Sequence, residues 1–121
     1  MQLSSRLATV NRDDIAVTMI SFQEQMKGWL ALLNRARSSA QVILAYGELE
    51  RMARSFCKMN ILSYTDSAED KFVELRKQRI RVGTSDLRIA SVAIVAGAML
   101  LTRNLRDFRQ VPSLAVEDWT I

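Results

Sequence analysis

The chain has 121 residues, with 17 Lys and Arg, 13 Asp and Glu, no His, a net charge of +4 and 49% hydrophobic residues, the length and make-up of a single globular domain. A single cysteine, Cys57, excludes an intrachain disulfide and fits a cytoplasmic protein, and without His a zinc site of imidazole or thiolate is excluded, so any metal must be held by oxygen. The longest apolar run, Ile89 to Leu101 with Ser91 and Gly97 inside it, falls short of the roughly 20 residues that cross a bilayer, so no membrane partner is expected.

In chain order, Ile15 to Ile20 is short and rich in β-branched residues, which predicts a strand. From Ser21 the residues Phe22, Met26, Trp29, Leu30 and Leu33 recur at helical spacing and predict a helix to about Arg37. A second amphipathic helix is expected from about Ser39 to Met59, with Ile43, Tyr46, Gly47, Leu49, Met52, Ala53 and Phe56 facing inward and Asn60 ending it. Ile61 to Tyr64 predicts a brief strand, and Ser67-Ala68-Glu69-Asp70 opens a third helix that carries Phe72, Val73 and Leu75. After a basic loop from Arg76 to Gly83, Thr84 starts a helix through Ala96 that is apolar on nearly every side and must be buried, with Gly97 placed to end it. Ala98 to Thr102 reads as a buried strand, Asn104 to Phe108 as a short helical turn, and Leu114 to Val116 as a final strand. Strands that alternate with helices and are apolar on both faces belong to an α/β fold, a mostly parallel sheet covered by helices on both sides.

The positive charge is uneven. Between Lys71 and Arg109 nine Lys and Arg stand against three acids. A polyanion would meet this half of the chain, and the plain alternative is a solvated basic face.

In a parallel sheet, ligands bind beyond the carboxyl ends of the strands. Three acids fall there: Glu24, Asp86 and Asp107. Each has a local explanation. Ser21-Phe22-Gln23-Glu24 matches a capping box, Asp86 suits a helix N-terminus, and Asn104 to Asp107 pairs a cap residue with an acid at the third helical position. Capping does not predict convergence, whereas parallel topology does. Carboxylates gathered at helix N-termini suit a hard divalent ion, Mg2+ or Mn2+. Such an ion activates water and neutralises charge on a phosphodiester, chemistry that needs neither His nor Ser. On this reading Glu24, Asp86 and Asp107 are ligands or catalytic carboxylates, while Asn104, Thr102 and Ser85 support them. Arg103, Arg106, Lys77, Arg79 and Arg81 would hold an RNA backbone.

Two segments carry a resemblance. Thr84-Ser85-Asp86-Leu87-Arg88-Ile89-Ala90 and Thr102-Arg103-Asn104-Leu105-Arg106-Asp107-Phe108 resemble, in order and spacing, the T-x-D-x-x-I-A and T-x-N-x-x-D-F elements of PIN domains of the VapC toxin family. Glu24 after its strand resembles the family's acid at the start of its second helix. The resemblance implies a three-layer α/β/α domain and a metal-dependent endoribonuclease that acts on RNA, is held in check by a small antitoxin and is often a homodimer. The stripe Met26, Trp29 and Leu33 is either part of such an interface or core packing.

Family members also begin with a strand ending in aspartate, and nothing before Ile15 resembles it; Gln2 to Val10 reads as the tail of the following helix. The expectation is one PIN-like domain over residues 1–121 that lacks its first strand and that strand's metal-binding Asp, either through a misassigned start, a truncation or a true short form. Catalysis would then be impaired. The alternative is a non-catalytic module that binds an antitoxin or a sister subunit. The strands on either side of the gap must close on each other or pair with another chain. A flavodoxin-like or receiver-like domain also gathers acids at strand ends, but only four clear strands are present and no lysine follows a late strand at a suitable place.

Overall fold

The computed structural model describes residues 16–101 and 105–118. The elements run β1 (Ala16–Thr18), α1 (Met19–Asn34), α2 (Ser39–Cys57), β2 (Asn60–Leu62), α3 (Asp66–Lys77), α4 (Thr84–Ala96), β3 (Leu100–Leu101), α5 (Leu105–Phe108) and β4 (Val116–Glu117). β1 pairs in parallel with β2, Val17 opposite Ile61, and β3 pairs in parallel with β4, Leu100 opposite Val116. Each pair joins strands separated by helical crossovers, as parallel ladders require, and the expected α/β class holds. Among the described residues the two pairs share no strand, so β1 and β3 do not close on each other. Gln2 to Val10 and Ile15 lie outside the described residues.

The strands are shorter than the apolar runs that predict them, and at β1 the reason is a cap. Thr18 is extended (φ −91°, ψ 156°) and its hydroxyl accepts the Ser21 backbone N–H at 3.0 Å. The helix therefore starts at Met19, so Met19 and Ile20 leave the expected strand and the capping box from Ser21 to Glu24 is not formed. Thr65 caps α3 in the same way, accepting from the Ala68 N–H at 3.2 Å, and moves its start to Asp66. Asn60, expected to stop the second helix, opens β2, because α2 ends at Cys57. The last strand falls on Val116–Glu117 rather than Leu114 to Val116, with Leu114 packed against the core.

α4 follows the sequence reading throughout. It spans Thr84–Ala96 and stops at Gly97, whose left-handed φ of 66° lets its N–H reach the Ala93 and Ile94 carbonyls. Its burial includes one polar side chain, Ser91, whose hydroxyl donates to the Leu87 carbonyl at 2.8 Å and so stays satisfied.

The main core joins Phe72 and Leu75 of α3 to Leu87 and Ala90 of α4, with Phe108 and Val111 closing it. Burying each of the two large α3 side chains stabilises by about 1.5–3 kcal/mol, which fixes the N-terminal end of α4 against its neighbour. Val73, one residue round the helix from Phe72, is exposed. A second contact joins α1 to α2, where the Phe22 and Phe56 rings meet edge to face at 5.0 Å.

The buried line of α2 is Ala45, Met52 and Phe56. Ile43 and Tyr46, expected inward, are 71% and 58% exposed, and Gly47 and Ala53 are exposed as well. Leu30 of α1 also faces out, while Met26, Trp29 and Leu33 are half-buried.

Candidate metal centre

Glu24 sits beyond the first turn of α1, which contains no acid, so capping does not explain it. Its carboxylate instead accepts a hydrogen bond from the Ser85 hydroxyl, 61 residues away in the first turn of α4. That bond ties the helix following β1 to the helix that carries Asp86.

Asp86 occupies the first turn of α4, where Gly83 is the cap residue and makes no side-chain cap bond. The helix N-terminus favours a negative charge there, yet the net shift of the Asp86 carboxyl is upward. Burial is the largest cause, followed by the charges of Asp107 and Glu24. The carboxylates of α1 and α5 thus both act on that of α4. Separate local caps would give no such coupling.

Among the described residues no three acids stand close enough to form a metal cluster by themselves. The donor set still fits a hard ion. It is all oxygen, its charges repel until a cation joins them, and magnesium is commonly held by one or two carboxylates with several waters. Glu24 and Asp86 are the donors that share a space. An open cleft of about 630 Å³ between α1 and α4 is lined by Ser21, Glu24, Lys27, Thr84, Ser85 and Asp86. Asp107, half-buried on α5, reaches this space through its charge on Asp86.

No model of a known family matches the sequence. Among curated proteins, Ribonuclease VapC2 of Rickettsia felis is 41% identical over 46 residues, 38% of this chain and 34% of that protein. Ribonuclease VapC1 of Haemophilus influenzae strain R2866 is 29% identical over 109 residues, 89% of this chain and 76% of that one. The matched segment thus spans about a third of the length of the first relative. The solved structure of VapBC-1 from nontypeable Haemophilus influenzae superimposes with a TM-score of 0.79 over 98% of this chain and 85% of that one, at 22% identity. The chain is thus similar in sequence to VapC ribonucleases and shares the fold of the toxin in a VapBC structure.

Three of the expected site residues, Thr102, Arg103 and Asn104, lie outside the described residues. The Ser85 hydroxyl donates to the Glu24 carboxylate. Lys77, Arg79 and Arg81 are exposed and make no ion pair within 4.0 Å among the described residues. Arg79 takes a left-handed φ of 56°, a conformation that costs an L-residue about 1–2 kcal/mol and turns the chain out of α3 toward Gly83. Arg106 is exposed on α5.

Arg88, two residues past Asp86, belongs to the packing of the domain. Its guanidinium lies 4.8 Å from the centre of the Phe72 ring, and Arg76 lies 5.5 Å from the same ring. Arg88 also reaches the Tyr64 phenol, which donates to Glu69 at 2.6 Å. Burial and then the Glu69 carboxylate push that phenol's pKa up, against the opposing pull of Arg88. This network pins the start of α3 to the start of α4 and so holds Ser85 and Asp86 in place.

Lys27 is the residue of the cleft that a search for acids passes over. Its spacing from Glu24, three residues on within one helix, places it on the same face and was the available signal.

Proposed function

We propose that this chain is a metal-dependent endoribonuclease, the toxin of a toxin–antitoxin pair. The observation that supports the reading is that Glu24 and Asp86 line one open cleft while the charges of Glu24 and Asp107, from two other elements, both act on Asp86. Glu24 and Asp86 are the metal ligands, with Asp107 as a further ligand or as the carboxylate that receives the proton of the attacking water. A bound Mg2+ or Mn2+ supplies the activation of that water and neutralises charge on the phosphodiester. Ser85 holds the Glu24 carboxylate in orientation, and Asn104 and Thr102 are assigned supporting roles at the site from their place in the sequence. The exposed cations Lys77, Arg79, Arg81 and Arg106 hold the RNA backbone, and Arg103 is assigned the same role from its place in the sequence.

The partners follow from the resemblance and from one surface. The fold shared with a VapBC assembly supports an antitoxin as partner. Val42, Ile43, Leu44 and Tyr46 form an exposed apolar stretch on α2 that supports a protein interface, with the antitoxin or with a second copy. The same stretch favours the second reading, a non-catalytic interaction module.

Incubating the chain with single-stranded RNA in Mg2+ or Mn2+, with and without chelator, separates the two. The ribonuclease reading expects cleavage that needs the ion and falls at least about 100-fold in Asp86→Asn. Antitoxin binding without cleavage, and unaltered by Asp86→Asn, would establish the interaction module instead.

A further inference from the structure

The cleft holds a charge that the carboxylates do not use. Lys27 lines it from α1, one helical turn beyond Glu24, facing the first turn of α4. It is exposed and makes no ion pair within 4.0 Å with either Glu24 or Asp86. Nor is it among the charges that shift the Asp86 carboxyl. A lysine whose purpose was to neutralise Glu24 would be paired with it at this spacing, as Lys71 is with Glu74 at 3.3 Å. Glu24 instead accepts from Ser85.

We propose that Lys27 is a phosphate anchor of the cleft, binding an RNA backbone phosphate beside the carboxylate site. The inference rests on the ribonuclease reading for its substrate, and it stands on a charge argument. Glu24 and Asp86 line the cleft and Asp107 adds its charge on Asp86, so one divalent ion leaves no positive charge to spare. A phosphodiester then brings one more negative charge into the cleft, and Lys27 is the cation lining it. A flexible stem with a compact ammonium suits that task, because it can follow a phosphate oxygen without a fixed planar geometry. Beyond the end of α3, Arg79 and Arg81 stand in the connection that leads to Gly83 on the α4 side. Lys27 supplies the positive charge of the cleft lining itself, on the α1 side, so a phosphate lying in the cleft would meet it there.

The test compares Lys27→Met and Lys27→Arg in the full chain. Binding of a short fluorescent single-stranded RNA is measured across a salt series in an Asp86→Asn background, and steady-state cleavage in the otherwise native chain. Leaving one phosphate without its cation lowers the slope of log affinity against log salt by about 0.7. It also raises KM about tenfold with kcat little changed, the size of one charge-assisted hydrogen bond. Lys27→Arg retains the slope. An unchanged slope and KM in Lys27→Met overturns the anchor while leaving the ribonuclease reading in place. A lowered slope in a chain that never cleaves RNA supports the anchor and removes the ribonuclease. No RNA binding by the parent chain overturns the anchor.

Discussion

Replacing Asp86 with Asn is expected to abolish cleavage and at the same time to make the apo domain more stable at neutral pH. The Asp86 carboxyl is pushed up first by burial and then by Asp107 and Glu24. A carboxyl whose folded pKa is raised favours the folded state while protonated and loses that contribution as pH rises through the raised value. Asp86→Asn removes the charge and so recovers the loss above that pH. Two like charges at a partly exposed, solvent-screened site amount to about 0.5–1 kcal/mol together, or roughly 2–5 °C in Tm for a chain of this size.

Thermal melts from acid to mildly alkaline pH check this. The gap between variant and parent is expected to be small near about pH 4 and below, and to open as pH rises. Adding Mg2+ or Mn2+ reverses the order. An ion at about 100 times its Kd stabilises the parent by about 2.7 kcal/mol, on the order of 10 °C, and the variant by much less. A variant less stable than the parent at neutral pH, or an ion-induced shift equal in both, would refute the reasoning.

Three further outcomes are expected. Ser85→Ala frees the Glu24 carboxylate from its hydrogen bond and should lower kcat about 10- to 100-fold, with RNA affinity and Tm nearly unchanged in the same preparation. Gly97→Ala should lower stability by about 1–2 kcal/mol through the left-handed φ alone, because nothing lies within 4 Å of the added Cβ; denaturant unfolding at constant m-value measures it. Replacing Arg79 and Arg81 together by Ala should reduce the salt slope of RNA binding by about 0.7 for each phosphate no longer neutralised, read by fluorescence anisotropy, with the divalent-ion affinity untouched.

The sequence was most legible where one residue type leaves little choice. Gly97 ends α4 where a left-handed residue is needed, and the surrounding apolar run admits only a buried helix. That Glu24 and Asp86 line one cleft follows from helices that leave parallel strands in the same direction, whatever the strand lengths. The inward face of α2 was not legible. Val42, Ile43, Leu44, Ala45 and Tyr46 are consecutive apolar residues covering the whole circumference, so periodicity does not choose between Ala45, which is fully buried, and Ile43, which is not. The start of α1 turned on two hydroxyls three residues apart, Thr18 and Ser21, and the earlier one became the cap. Strand limits depend on distant partners such as Asn60 opposite Ala16, which an apolar run does not encode. Lys27 escaped because a lone lysine on a helix has no motif; only the cleft gives it a role.

The most direct measurement is a calorimetric titration of Mn2+ into the parent chain, Glu24→Gln, Asp86→Asn and Asp107→Asn. If the acids of three elements form one metal centre, the parent binds the ion and each single substitution weakens binding. Mn2+ affinity equal to the parent's in all three variants, or no binding by the parent, would contradict it.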